Sequence, residues 1–377
     1  MRRALDLHQT EVYESRKPSF GCPVLDSTFG GGLPVHGITE VCGEAGCGKT
    51  QLCLQLAVQA MLPVEFGGLA GKACYITSGE GSFPVRRLEQ LATLTAQRFQ
   101  KGSSSGGGVG GVGGVGGVGS NDISGGSGIT KKRLLEGVLV HNCPNVDALL
   151  ELIDTALAQL LAKGEIRLVV IDSVAGAFRN DDNYDSQLRA ANGGRSKGFG
   201  GNLKARTRDL FLFASHLRRL SFAHHTAVVV VNQATATGFD RGGFGAPTMP
   251  DVNPDLLSAF PGLNIRPALG LSWSTCVNQR IILMRRESGA GAASTSGSAW
   301  SSGQQQQRGQ YASSSERTPT ETAMGDNAVD SRATSASSYQ GQWRRDAAIL
   351  LSPCTPFQST RFVITEVGVT GLMSSVP

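Results

Sequence analysis

One octapeptide constrains this chain more than anything else in it. Gly43-Glu44-Ala45-Gly46-Cys47-Gly48-Lys49-Thr50 satisfies every fixed position of the phosphate-loop pattern G-x-x-x-x-G-K-[ST]. Its surroundings suit it: Ile38–Cys42 is a short β-rich run, and Thr50–Ala60 reads as a helix. Such a loop wraps backbone N–H groups around phosphate oxygens, and the helix N-terminus adds partial positive charge there. Lys49 brings a full charge to the β- and γ-phosphates, and Thr50 a hydroxyl for Mg²⁺.

The remaining segments continue the alternation that this loop requires. Lys72–Thr77 reads as a strand and Pro84–Gln97 as a helix with Leu88, Leu91 and Leu94 at three-residue steps. Gly137–His141 is a strand, Asn145–Leu161 a helix, and Leu168–Ile171 a continuous apolar run of buried-strand type. Arg208–Phe222 is amphipathic through Leu210, Phe213, Leu217 and Leu220, and Ala227–Val231 is β-branched. Strands alternating with helices predict an α/β fold, a mainly parallel sheet covered on both faces. Late strands near 278–285, 346–352 and 361–366 predict an antiparallel extension at one edge.

A phosphate loop needs a carboxylate on the metal side, at the C-terminal end of a neighbouring strand. Asp172 follows four buried apolar residues and fits that place. A helix N-cap, which Asp172 or Ser173 also suits, is the blander alternative. Glu80, in Tyr75-Ile76-Thr77-Ser78-Gly79-Glu80-Gly81, lies where a carboxylate polarises a water toward the γ-phosphate, or where a solvated loop acid would sit. Asn232-Gln233 ends a strand, and a side-chain amide there is placed to sense the γ-phosphate.

Composition separates a foldable core from segments that bury too little apolar surface to offset ordering entropy. Glycine makes up 50 of the 377 residues, and 14 of them fall within 101–129. Residues 101–130 and 287–341 are Gly/Ser/Gln-rich and are expected to be disordered inserts. The domain division expected is a short N-terminal segment, 1–20, and a core from 21 to 377 interrupted by those inserts. The absence of an 18-residue apolar run argues against a membrane-spanning helix. The opening residues lack a secretory apolar stretch, and Asp6, Glu11 and Glu14 fit a transit peptide poorly. Eight scattered cysteines without a CxxC pair read as reduced thiols. The net charge of +5 permits an anionic partner without demanding one.

These residues resemble the eukaryotic RecA-like strand-exchange recombinases. The likeness runs through Gly21-Cys22-Pro23-Val24-Leu25-Asp26, Gly31-Gly32-Leu33-Pro34, Gly37-Ile38-Thr39-Glu40, the phosphate loop with Gln51-Leu52, and Tyr75-Ile76. It continues through Phe83-Pro84, Arg87-Leu88, Asp172-Ser173, Phe178-Arg179, Asn232-Gln233, Pro267-Ala268-Leu269-Gly270 and Trp273. It implies a RecA-type ATPase core of homologous recombination, acting in the nucleus. ATP and Mg²⁺ are the implied cofactors, with ATP held between adjacent subunits. The implied partners are single-stranded DNA, recombination intermediates, a related paralog and the central recombinase; no membrane and no further small-molecule substrate is implied. By position, Gly43 to Gln51 would bind the nucleotide and Thr50 and Asp172 the metal. Lys49, Glu80 (the catalytic glutamate) and Gln233 (the γ-phosphate sensor) would serve hydrolysis. Three departures stand out. The family's helical domain before the core is expected to be missing or truncated, since some 20 residues precede Gly21. One extra residue precedes Glu80, and both inserts lie outside the pattern.

Two stretches suit DNA. Residues 186–208 carry Arg189, Arg195, Lys197, Lys204, Arg206 and Arg208, no acid, many glycines and Phe199, a composition for sequence-tolerant single-strand binding by a mobile loop. Its place after the metal-side strand matches the family's first DNA loop. The second, 234–268, has Arg241 and Arg266 but also Asp240, Asp251 and Asp255. Blander expectations cover the rest. His224-His225 read as cap-region or surface residues. Phe211-Leu212-Phe213-Ala214, an F-x-x-A match, reads as core packing, and Lys131-Lys132-Arg133 as a solvated run. Three functions compete: a slow DNA-dependent ATPase, a non-catalytic ATP-binding assembly subunit, and a P-loop kinase, for which no Arg-rich lid is present.

Overall fold

Strand β1 (Ile38–Gly43) is buried at every position and leads straight into the phosphate loop. A computed structural model places it inside a large sheet and describes residues 17–78, 82–102, 128–178, 200–236, 265–286 and 344–373. The sheet is ten-stranded, in the order β10-β9-β8-β7-β1-β5-β4-β2-β3, with β6 paired to β5 off that path. Its strands are β2 (Lys72–Ser78), β3 (Val138–Cys143), β4 (Ile166–Asp172), β5 (Ala227–Ala236), β6 (Ile265–Pro267), β7 (Gln279–Arg286), β8 (Arg344–Leu351), β9 (Gln358–Thr365) and β10 (Gly368–Leu372). β1, β5, β4, β2 and β3 run parallel. β8, β9 and β10 pair antiparallel. The expected α/β class, with an antiparallel C-terminal edge, is the observed one.

Helices cover both faces because the central strands are apolar on both. One core sets Val41, Tyr75, Val170 and Val229 against α2 (Lys49–Ala60) and α3 (Val85–Gly102), after α1 (Pro23–Thr28). The other sets Ile38, Ile76, Ile171 and Val230 against α5 (Val146–Leu152) and α7 (Gly200–His224), through Leu149, Phe213 and Leu217. Between α3 and α5 lies α4 (Lys131–Glu136), capped by Thr130, which accepts from the Arg133 N–H at 3.2 Å. Asn145 caps α5 in the same way, accepting from the Ala148 N–H at 2.9 Å. α5 runs through a π-turn (Ile153–Leu157) into α6 (Ala158–Ala162). Gln55 of α2 stitches the first core together: its Nε2 donates to Phe20 O at 2.6 Å and to Val369 O at 3.1 Å.

Several expectations need correction. The strand near 278–285 is not antiparallel. β7 pairs parallel with β1, entered through α8 (Gly270–Ser274), a helix too short to show periodicity. β5 does not end at Val231 but runs on to Ala236, so Asn232-Gln233 lie inside it. The basic stretch is not loop throughout. α7 begins at Gly200 and takes in Lys204, Arg206 and Arg208, because Leu203 to Leu210 are mostly good helix formers leading into a buried face. Of the insert expected at 101–130, both ends belong to the described fold, and 103–127 lie outside the described residues. Lys101 and Gly102 close α3, and Ile129 is buried. Phe211 is exposed although Phe213 and Ala214 are fully buried, since the helix turns it away from the sheet. β6 and β10 are strands that the sequence pattern does not predict. Among the described residues no helix is long and apolar enough to cross a membrane.

Candidate functional site

The site grows from the end of β1. Register places Gly43 opposite Gln233 of β5 and Leu283 of β7, so the loop leaves the middle of the sheet. A Cβ on Gly43 would collide with Leu283 O and with the Cys47 sulfur, and φ is +155° there. The turn into α2 is made by Gly48 at φ +115°. A side chain on Gly48 would meet Ile364 Cδ1 at 2.9 Å. Glycine at position 48 also means that α2 has no side-chain cap, so its first N–H groups carry no side-chain acceptor. A twelve-residue helix with such an N-terminus suits an anion.

Lys49 lies over this loop, its ammonium donating to Gly43 O at 2.8 Å and Glu44 O at 2.7 Å. The exposed Ala45 and Gly46 form the loop tip, and Cys47 is buried beneath it. Burial pushes the Cys47 thiol above its ordinary range, with the Lys49 charge opposing. Arg285, from the end of β7, reaches the tip; a Cβ on Gly46 would lie 3.1 Å from its Nη1. Arg345 of β8 follows it, its guanidinium held below the usual range by burial first and by the Arg285 charge second. Sequence reading missed both arginines, because it could not order the strands that bring them beside the loop.

Three elements meet at the end of β4. Thr50 Oγ1 donates to Asp172 Oδ2 at 2.7 Å, joining α2 to the end of β4. Tyr75 of β2 donates its hydroxyl to the same oxygen at 2.7 Å. Ser173 Oγ accepts from the Gly176 N–H at 3.3 Å, as a helix cap does, while Asp172 turns Oδ2 to the two hydroxyls. Among the described residues, no group of three or more His, Cys, Asp or Glu side chains converges as a metal cage. A hydroxyl–carboxylate pair beside a phosphate cradle fits Mg²⁺, which keeps several waters and draws on substrate phosphates. The residues therefore suit both Mg²⁺ and a nucleoside triphosphate.

Other expected residues fall as follows. Gln233 is half-buried beside Gly43, its carbonyl accepting from the Ala268 N–H at 2.7 Å. Asn232 is turned away: its Nδ2 donates to Glu40 Oε1 at 2.7 Å. Gln51 spends its amide oxygen on Arg87, which donates from Nε at 2.7 Å and holds Thr365 O through Nη2 at 2.6 Å. Arg208 pairs with Asp209 at 3.2 Å, and Arg206 is half-buried on the same helix. Glu80, Arg189, Arg195, Lys197, Arg241 and the side chain of Lys204 lie outside the described residues.

Beneath the site lies a polar node that sequence reading did not find. Glu40 is fully buried on β1 and accepts from Arg280 Nε, from Asn232 and from the Trp273 indole at 2.9 Å. Its partners sit 192 to 240 positions away in sequence, beyond the reach of any local pattern.

Comparison with known proteins bears on the same residues. The Rad51 family model matches 17–104 and 120–253, which takes in the phosphate loop, Tyr75 and Asp172. The chain is 34% identical over 273 residues to the DNA repair protein XRCC3 of Bos taurus, covering 72% of this chain and 64% of that protein. It is 31% identical over 277 residues to the DNA repair protein XRCC3 homolog of Arabidopsis thaliana, covering 72% and 77%. The DNA repair and recombination protein RadA of Metallosphaera sedula is 29% identical over 266 residues, covering 70% and 66%. The match thus spans less than two thirds of the bovine relative's length.

Proposed function

The chain belongs to the Rad51 family, and on that premise we propose that it is an ATP-binding protein of homologous recombination and double-strand break repair, with slow DNA-dependent ATP hydrolysis. The observation that carries this reading is the convergence of Thr50, Tyr75 and Asp172 at 2.7 Å beside an uncapped helix N-terminus. In this reading the α2 N–H groups and Lys49 bind the polyphosphate, exchanging the Gly43 and Glu44 carbonyls for phosphate oxygens. Mg²⁺, when bound, neutralises charge developing between the β- and γ-phosphates. Thr50 offers it an oxygen while pointing its hydrogen at Asp172. Glu80 takes the proton of the attacking water, and Gln233 senses the γ-phosphate from the strand beside the loop.

The same reading places ATP between adjacent subunits. It assigns single-stranded DNA and recombination intermediates to Arg189, Arg195, Lys197, Lys204, Arg206, Arg208 and Arg241. Its partners are another RecA-like paralog and the central recombinase, and its setting is the nucleus. A second reading, a non-catalytic subunit that holds ATP to assemble paralogs, is favoured by one observation. β2 runs to Ser78, and by the resemblance drawn from the sequence one residue more than the family pattern precedes Glu80. Turnover measured with and without single-stranded DNA separates the two. Hydrolysis that DNA stimulates, and that Glu80→Gln abolishes while nucleotide binding persists, supports catalysis. Equal slow turnover in both proteins supports assembly.

A further inference from the structure

We propose that Tyr75 is a positioning residue for the metal site, fixing the Asp172 carboxylate so that Thr50 and the carboxylate together receive Mg²⁺; this rests on the phosphate-loop reading above. The strand register explains how it reaches. Tyr75 lies opposite Val170 on β4, and Asp172 lies opposite Thr77. Side chains two apart on a strand share a face, so the phenol spans one diagonal step to the carboxylate. The ring is fully buried in the core under α2. Phe83 closes on it edge-on, with centroids 4.9 Å apart. A ring so enclosed has one place to put its hydroxyl.

Two hydroxyls thus converge on a single oxygen, Asp172 Oδ2, one from Thr50 and one from Tyr75, each at 2.7 Å. Among the described residues, no protein group donates to Oδ1 and no basic side chain pairs with the carboxylate. Among the described residues, then, the carboxylate is oriented by hydrogen bonds rather than neutralised. A charge held through one oxygen by two hydrogen bonds, with the other oxygen left to accept, is a preorganised receptor for a hydrated cation. Partners that orient such groups from behind typically change metal affinity roughly 10- to 100-fold when lost. Sequence reading passes over Tyr75 because a buried aromatic inside a strand looks like core. A structural role also exists, since a buried phenol needs an acceptor; the two roles differ in what Mg²⁺ does.

The test uses the full 377-residue chain and a fluorescent ATP analogue, titrated with Mg²⁺ from an EDTA-buffered start. Tyr75→Phe removes one oxygen and keeps the ring. The Mg²⁺ concentration for half-maximal nucleotide affinity should rise about 10-fold, with the Mg²⁺-free affinity unchanged. An unchanged midpoint overturns the proposal. A Mg²⁺-free affinity that falls in step with the midpoint also overturns it, because that is the mark of lost packing. Should the variant not fold, 3-fluorotyrosine at position 75 keeps the volume and donates more strongly. A lower midpoint then supports the proposal, and an unshifted one overturns it. Failure of the wild-type chain to take up the analogue at saturating Mg²⁺ would instead sink the phosphate-loop reading itself.

Discussion

Asp172 and Glu40 are carboxylates of one sheet, separated by strand β5 and turned to opposite faces. Asp172 shares its face with Val170 and α2; Glu40 shares its face with Ile38, Trp273 and α7. Glu40 is fully buried and saturated: a guanidinium, an amide and an indole all donate to it. Asp172 is half-buried and takes two hydroxyls but no cation among the described residues. A buried charge must be compensated within the fold, so Glu40 ties β1 to β5, β7 and α8. A half-exposed charge with oriented neighbours keeps its capacity for a partner from outside. The difference shows how one sheet carries one carboxylate compensated within the fold and another that the described residues orient without pairing it to a cation.

The largest effect tests the saturated member. Arg280→Ala leaves the Glu40 charge uncompensated in the interior and should cost about 3–5 kcal/mol, read as a drop in denaturant midpoint. Nucleotide affinity per folded molecule should be far less affected. A variant that melts like wild type would break the contrast, since Glu40 would then not depend on its cation. Asp172→Asn should do the reverse. Both hydroxyls keep an amide oxygen to bond, so stability should move by less than about 1 kcal/mol. The Mg²⁺-dependent gain in nucleotide affinity should fall about 10- to 100-fold. A large loss of stability with the Mg²⁺ response intact would make Asp172 a second structural carboxylate.

The smallest effect comes from a third kind, exposed on the surface. Glu165 bonds Lys72 at 2.6 Å, and that bond and charge hold its carboxyl below the ordinary value of 4.5. Its contribution is present at neutral pH and fades as pH falls through the lowered folded-state value. The melting difference between wild type and Glu165→Gln should be slight at pH 7, close on acidification and vanish in concentrated salt. A difference that widens in acid would reverse the sign assigned to this pair.

What sequence could disclose follows from the range of each interaction. The phosphate loop, Asp172 and the class of fold rest on local runs, so Gly43 to Thr50 and Leu168 to Asp172 were legible residue by residue. The start of α7 was not, because glycines and arginines before Arg208 look like loop until Leu210, Phe213 and Ala214 give the helix a buried face. α8 and β10 are five residues each, too short for a period to register. The Glu40 node, Tyr75 and the two arginines beside the loop depend on strand order, which no single segment encodes.

The two hydrogen bonds that Gln55 donates to Phe20 and Val369 have a consequence in time rather than in space. Its two acceptors come from opposite extremes of the described chain, and one lies 314 positions downstream of the glutamine. A nascent polypeptide emerging from the ribosome cannot close this layer until the β9–β10 hairpin is made. Early-made strands must wait with apolar surface uncovered, which favours holding by chaperones and makes assembly slow. Trimming back as far as β10 should thus leave a protein that never completes its interior, even with every nucleotide-facing residue still in place.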